Sequence, residues 1–429
     1  MSYEVKYSDL VNLRPFIRQG SGSSRMFEAV LDGEDVLVKV QVMNEGLRFP
    51  QEKEVLELQL DGVVGLIAYG SDIQGHPFLV IEKLDPLPEK ISLDQLKHVV
   101  YTYLCTVREL YVNGVLWPAL SKHCMIDTNG HPKIIDFNDD RVDGWLPFIG
   151  EKMAVVNNGF FNCKSFTEHD LKWYTGFSHT MMEICNQRGY NWRKIMDESI
   201  AKMITEEYQS LENVHQPIFF DPLQNTLRTE TEKNDPDFGK LVSTSRKCSD
   251  RANLMLQHMK FDLNGATYLD IGCNVGWFPF YFNREWGMDT TGMDASVPMI
   301  NFANTLAEIH EVPVSFDASN FNMEYVKSME SYDVVSALSM LHWLVSSPPP
   351  GSVQISDTRS KDEVEETLRV LGSKVNKMFF VETSPTIFSK LDVVGFDGLA
   401  EFIADVGRFS SWEIIGKSDT GRPLIKLEK

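Results

Sequence analysis

Apolar and polar positions divide the chain into two regions with different rhythms. From Tyr268 onward, short runs rich in β-branched and aromatic residues each span a strand's length: Tyr268-Leu-Asp270-Ile271, Thr290-Thr-Gly-Met-Asp294, Val312-Pro-Val-Ser-Phe-Asp317, Tyr332-Asp-Val-Val-Ser-Ala-Leu338 and Lys377-Met-Phe-Phe-Val-Glu382. Trp277 to Phe282 reads as the first turns of a helix, and strands joined through helices predict a parallel, doubly wound sheet. Pro348-Pro349-Pro350-Gly351 is a local break, because the fifth run resumes the same sheet.

The first region reads differently. Phe16 to Val30 and Val36 to Val40 are β-rich runs joined by Asp32-Gly33, which predicts a hairpin with a flexible glycine loop at its entrance. Pro50 to Leu60 has helical spacing with Glu52 and Leu56 on one face, and Leu93 to Val112 is an amphipathic helix. His76 to Glu82 is a strand, and Cys124 to Asp127 leads through a turn at Asn129-Gly130 to Lys133-Ile-Ile-Asp136-Phe137. Lys39 sits inside an apolar strand, where an ammonium needs a partner, and Glu52 is the natural one. Between the regions, His215 to Gly239 is rich in Pro, Asn, Asp and Thr and keeps neither a 2.0 nor a 3.6 period. That composition suits a connection or a segment that covers a substrate. No internal repeat is read from the sequence.

The turn after the first strand carries the chemistry. Gly272 and Gly276 bracket Asn274 in a G-x-N-x-G pattern, where a ligand pressing on the backbone would require residues without a Cβ. Three consecutive strand ends carry Asp270, Asp294 and Asp317. Carboxylates so placed suit an amino group, a ribose diol and an exocyclic amine, and they repel a pyrophosphate. The pattern therefore favours S-adenosylmethionine over a dinucleotide. Residues from Arg246 to Glu428 resemble a class I S-adenosylmethionine-dependent methyltransferase, with LDIGCNVGWF as the first motif, GMDAS as the second, Asp317 at the adenine position and YDVVSALSMLHWL as the fourth. Asn274 departs from the family's glycine, but Asn also visits positive φ.

Methyl transfer from a sulfonium needs nucleophile, carbon and sulfur held in line with water excluded. A base helps only an acceptor that carries a proton. His342, after the fourth strand, is the candidate for that role or for shaping the pocket, and Glu382 lies on the same edge. Ser245-Arg246-Lys247 and Arg251 offer positive charge for a phosphate or carboxylate, although a solvated helix face is the commoner origin of such a cluster.

The first region, from Phe16 to residue 215, resembles the protein kinase fold in element order. That resemblance places Gly20 and Gly22 in a phosphate loop, Lys39 and Glu52 in the ion pair, Asp136 of Asp136-Phe137 as the metal-holding acid and Asp170 as the structural acid. The same spacing puts Pro118 where the family has its catalytic base and His123 where it has a metal-binding Asn, while Arg25 and Asn138 replace glycines. Proline accepts no proton, so the resemblance implies a degenerate kinase-like domain, with ATP and magnesium binding through Asp136 left open and Asp127 or Asp139 as substitute bases only if the loop is rearranged. The plainer alternative for Lys39 and Glu52 is a buried structural pair.

The expected fold class is thus α/β and α+β: a bilobal kinase-like domain over residues 1–215, a connecting or covering segment over 216–242, and a Rossmann-like, seven-stranded methyltransferase domain over 243–429. The pairing is similar to the bifunctional kinase-methyltransferases that terminate O-antigen chains, with the domain order reversed. It implies methylation of oxygen on a glycan, sugar phosphate or small molecule, with the first domain regulatory, nucleotide-binding or docking. The alternatives are a bifunctional enzyme with a rearranged catalytic loop and a non-catalytic binding protein.

Bulk properties narrow the classes further. A chain of 429 residues exceeds one core, and its 43% hydrophobic content is ordinary for globular protein. A net charge of -20 opposes phosphate backbones and anionic bilayers, which disfavours a nucleic-acid substrate. Cys105, Cys124, Cys163, Cys185, Cys248 and Cys273 show no metal or disulfide spacing, and neither a signal peptide nor an eighteen-residue apolar run is present, so a cytoplasmic protein without a membrane span is expected. Oligomeric state stays open.

Overall fold

The structure is a computed structural model and describes residues 2–16, 24–41, 48–113, 124–135, 173–212, 214–220, 248–344, 360–418 and 421–429. Two compact units divide it, Met1–Met203 and Ile204–Lys429.

In the first unit, β1 (Tyr3–Glu4), β2 (Val11–Pro15), β3 (Ser24–Leu31), β4 (Glu34–Gln41), β5 (Leu66–Ser71) and β6 (Pro77–Glu82) form a six-stranded sheet in the order β1-β5-β6-β4-β3-β2. The expected hairpin is β3–β4: Asp32 and Gly33 have φ of 52° and 90°, the two positive values a type I′ turn requires. Val36, Val38 and Val40 alternate onto one buried face with Ala68, Phe78 and Val80. A second, three-stranded sheet consists of β7 (Leu84–Pro86), β8 (Cys124–Asp127) and β9 (Pro132–Ile134). Among the described residues four helices accompany these sheets: α1 (Arg48–Glu57), α2 (Leu93–Val112), α3 (Trp173–Gln187) and α4 (Trp192–Ser210), of which α4 runs on into the second unit.

The helix α2 matches its expected bounds because local signals agree there. Ser92 and Gln95 form a reciprocal capping box at its start, and Leu96, Val100, Tyr103, Val107 and Leu110 recur every three or four residues on the buried side. The helix α1 ends earlier than the apolar spacing suggested, since Gln59 turns to φ 55°.

The second unit holds β10 (Thr267–Ile271), β11 (Asp289–Asp294), β12 (Val314–Ala318), β13 (Tyr332–Leu338), β14 (Val375–Glu382), β15 (Ser411–Lys417) and β16 (Pro423–Glu428). Their order is β12-β11-β10-β13-β14-β16-β15; the first five are parallel, and β16 runs antiparallel to both neighbours. Seven helices accompany the sheet among the described residues: α5 (Cys248–His258), α6 (Trp277–Trp286), α7 (Val297–Ile309), α8 (Met323–Ser328), α9 (Lys361–Lys374), α10 (Phe388–Leu391) and α11 (Gly395–Gly407). The chain order reverses between β10 and β13, and a doubly wound sheet binds ligands at that reversal, on the carboxyl edge. Leu269, Ile271, Val335, Ala337, Phe379 and Val381 fill the core beneath that edge.

Residues 216–220, the start of the expected connection, are buried within the second unit. Gly20, Gly22, Pro118, His123, Asp136, Phe137, Asn138 and Asp170, which carried most of the kinase resemblance, lie outside the described residues, as do Asp139, Cys163, residues 221–247 with Arg246 and Lys247, and the Pro348–Gly351 break.

Candidate active site

The strand β10 ends in a turn built from three positive backbone angles: Gly272 at φ 76°, Asn274 at φ 52° and Gly276 at φ 83°. The amides of Gly272 and Cys273 both donate to the Met293 carbonyl, at 2.8 and 2.9 Å, which anchors the turn to β11. The absent Cβ atoms also relieve packing within the protein. A Cβ at Gly272 would lie 2.3 Å from the Met340 side chain, and one at Gly276 would lie 2.5 Å from Phe316. Packing and backbone sign therefore each favour glycine at both positions.

The three acids stand at adjacent strand tips. Asp294 accepts from the Asn274 amide through Oδ2 and from the Ser296 amide through Oδ1, both at 2.9 Å, so it stitches the first turn to the second. Burial raises its pKa, against the pull of those amides. Asp317 accepts from the Ser319 hydroxyl at 2.8 Å. Asp270 is 1% exposed; its Oδ1 accepts from Ser336 Oγ at 2.6 Å, and Ser336 in turn meets the Tyr268 hydroxyl at 2.6 Å. Its Oδ2 has no hydrogen-bond partner, and burial pushes the carboxyl up to about 7 against the Ser336 bond and the positive charge of Arg251.

Arg251 on α5 corrects the expectation of a solvated face. It is 2% exposed, with Nη1 3.6 Å from Glu382 Oε2 and its guanidinium over the Phe278 ring, and Arg251 Nε and Glu382 Oε2 lack hydrogen-bond partners. The apolar α5–α6 interface explains the burial: only the long stem and the Glu382 charge make an interior guanidinium tolerable there. Glu382, fully buried at the end of β14, also accepts from Ser339 Oγ at 2.8 Å, and Arg422 donates to that hydroxyl at 3.2 Å. Ser339 holds φ 61° after β13, a strained angle for a residue with a Cβ. His342 follows in a short 3₁₀ turn, Leu341–Leu344, with Nδ1 3.5 Å from Thr383 Oγ1.

Asp270, Asp294, Asp317, His342 and Glu382 therefore share the carboxyl edge of one sheet. Sequence reasoning missed Ser336, although a lone hydroxyl inside Val334-Val335-Ser336-Ala337-Leu338 was a signal that something polar faces it. It also missed Gln216, whose Oε1 accepts from the Trp277 amide at 3.0 Å.

Residues 243–383 match the family model of a methyltransferase domain. The methyltransferase domain so delimited contains all three strand-tip acids, the glycine turn and His342. By structure the chain is similar to the bifunctional kinase-methyltransferase WbdD, at 19% identity over 52% of this chain and 45% of that one, with a TM-score of 0.38. It is also similar to the Thermus thermophilus 16S rRNA N2 G1207 methyltransferase RsmC, at 12% identity over 42% and 41% with a TM-score of 0.29. A third likeness is to Haemonchus contortus phosphoethanolamine N-methyltransferase 2, at 15% identity over 40% and 39% with a TM-score of 0.29. The matches thus span less than half the length of each of these proteins. No curated protein matches the chain by sequence.

In the first unit, Lys39 Nζ donates to both carboxylate oxygens of Glu52, at 2.8 and 2.9 Å, with both side chains buried. Asp127 is committed to its own turn: Oδ1 accepts from the amides of Asn129 and His131, each at 2.8 Å, and Oδ2 lies 3.0 Å from His131 Nδ1. Among the described residues no group of three or more His, Cys, Asp or Glu could hold a metal ion, and no helix is long and apolar enough to cross a membrane.

Proposed function

We propose that residues 243–429 form an S-adenosylmethionine-dependent methyltransferase that modifies an oxygen of a glycan, sugar phosphate or small molecule. The observation that carries this reading is the row of Asp270, Asp294 and Asp317 on adjacent parallel strands, with one buried carboxylate oxygen of Asp270 left without a partner. That orphan oxygen fits an ammonium, whose arrival would satisfy it. On this reading Asp294 keeps lone pairs for ribose hydroxyls, and Asp317 would accept from an adenine amine. When bound, the sulfonium supplies an activated methyl group. The chain's own part is to hold, align and exclude water, with His342 taking up the acceptor's proton beside Thr383. Residues 1–215 serve this reading as a regulatory, nucleotide-binding or docking domain through Lys39 and Glu52, in a cytoplasmic protein.

Calorimetry on the full chain with S-adenosylmethionine tests it. Saturable binding that Asp294→Ala and Gly272→Arg abolish, followed by transfer of labelled methyl to fractions of cell extract, is the expected result. Heat signals unchanged by both variants would mean that this edge does not receive the donor.

A further inference from the structure

The turn Gly272–Gly276 is braced by residues that lie outside the matched domain. The N-cap of α6 is Gly276, which has no side chain to accept the helix's first free amides. Gln216 Oε1 does so instead, taking the Trp277 amide at 3.0 Å from a side chain 7% exposed. One residue earlier, the His215 amide donates to Asn274 Oδ1 at 3.2 Å, while Asn274 Nδ2 lies 2.9 Å from Met299 Sδ. The segment is itself anchored at both ends. Tyr208 of α4 donates its hydroxyl to the Gln216 carbonyl at 2.7 Å. Phe219 packs edge-on against Trp277, with centroids 5.6 Å apart, and Phe220 stacks on His310 at 3.9 Å.

We infer that residues 214–220 are a working part of the donor site, with Gln216 and Asn274 as a matched pair of positioning residues that hold the turn in its binding-competent shape. The inference rests on the methyltransferase reading and extends it beyond residues 243–383. It also gives Asn274 a reason. Glycine would adopt φ 52° with less strain, yet it would have no side-chain oxygen to receive the His215 amide. Neither residue needs to touch the donor. Each fixes a backbone amide or carbonyl position from which Asp294 and the turn receive it, because the Asn274 amide is also the donor to Asp294.

Three full-length variants test this by calorimetry with S-adenosylhomocysteine and by hydrogen exchange at Trp277. Gln216→Leu removes the acceptor and is expected to weaken binding about tenfold, since a desolvated amide is left unpaired. Gln216→Glu keeps an acceptor oxygen at the helix N-terminus and is expected to restore affinity to within about twofold of wild type. Asn274→Gly relieves the backbone angle but cuts the link to His215, and is expected to weaken binding while leaving the melting temperature near wild type. In parallel the Trp277 amide should exchange faster in Gln216→Leu and at the wild-type rate in Gln216→Glu. Equal affinity and equal exchange across wild type, Gln216→Leu and Asn274→Gly would overturn the inference. Wild type failing to bind at all would instead sink the methyltransferase reading, while the exchange rates would still report whether the brace exists.

Discussion

The two units treat their buried carboxylates in opposite ways. In the first, Glu52 is closed off by Lys39, which reaches both of its oxygens within 2.9 Å. In the second, Glu382 meets Arg251 only at 3.6 Å, and Arg251 Nε, Glu382 Oε2 and Asp270 Oδ2 are all buried without hydrogen bonds. A buried polar atom left unpaired costs about 1–3 kcal/mol, so these three carry a stability cost that the Lys39–Glu52 contact does not. The first pair is a finished structural contact, whatever else it does. The second group keeps unsatisfied atoms, and Asp270 among them sits at the reversal point of the parallel sheet.

The largest effect should come from breaking the closed pair. Glu52→Ala leaves the Lys39 ammonium in an apolar strand, and loss of one partner of a buried pair costs about 3–5 kcal/mol. Urea denaturation should show the first unit's transition moving to lower denaturant. The paired change Lys39→Met with Glu52→Leu should recover most of that loss, because apolar residues of similar volume replace both charges. Failure of the double variant to recover would mean that the pair does more than satisfy itself.

The second group makes a prediction of opposite character, a dependence on pH. Asp270 titrates near 7 in the folded protein against 3.8 for the ordinary group, so between those values the folded state binds the extra proton. Stability conferred by the protonated carboxyl is therefore full below about pH 4 and is lost as pH rises through about 7, by an amount on the order of 4 kcal/mol. Asp270→Asn should flatten that slope in the second unit's transition and stabilise the protein at pH 8. A donor bearing an ammonium should reverse the preference, so binding at pH 7 should release a fraction of a proton, measurable by calorimetry in buffers of different ionisation enthalpy. A slope that survives Asp270→Asn would assign the titration elsewhere.

Much of this contrast was legible in the residues. The five parallel strands announced themselves as apolar runs, and the acids at their ends fell on one edge because β10, β11 and β12 are neighbours. The Lys39–Glu52 pairing followed from an ammonium in an apolar strand. What stayed hidden depended on contacts between distant positions. Nothing in Arg251 itself distinguishes an exposed helix arginine from one buried under Phe278. Residues 214–220 carry no period because their side chains answer to α6 and α7 rather than to a face of their own. The glycines of the turn were read from the sequence, but their tight packing against Met340, which follows β13, and against Phe316 of β12 was not, because those neighbours come from distant positions.

A smaller test sharpens the comparison within the first unit, where one turn is used twice. Asp72-Ile-Gln-Gly75-His76-Pro77 and Asp127-Thr-Asn-Gly130-His131-Pro132 close their hairpins with the same bonds. Each Asp Oδ1 accepts from the amides two and four residues on, each Oδ2 lies 3.0–3.1 Å from the histidine Nδ1, and each glycine has φ 84°. Burial raises both carboxyls, but the histidine's amide and ring and the intervening amide outweigh it and set the pKa below the usual value. Their contribution is therefore present above the unfolded pKa and lost as pH falls through the lower folded one, the reverse of Asp270. Asp127→Ala or Asp72→Ala should each cost about 1 kcal/mol, the scale of a locally closed turn, and Asp→Asn should cost less because the amide oxygen still accepts from the backbone. Thermal melts of the four variants at pH 7 would check it. A loss several times larger at Asp127 alone would show that this carboxylate holds more than its own hairpin, and the closed side of the comparison would have to be redrawn.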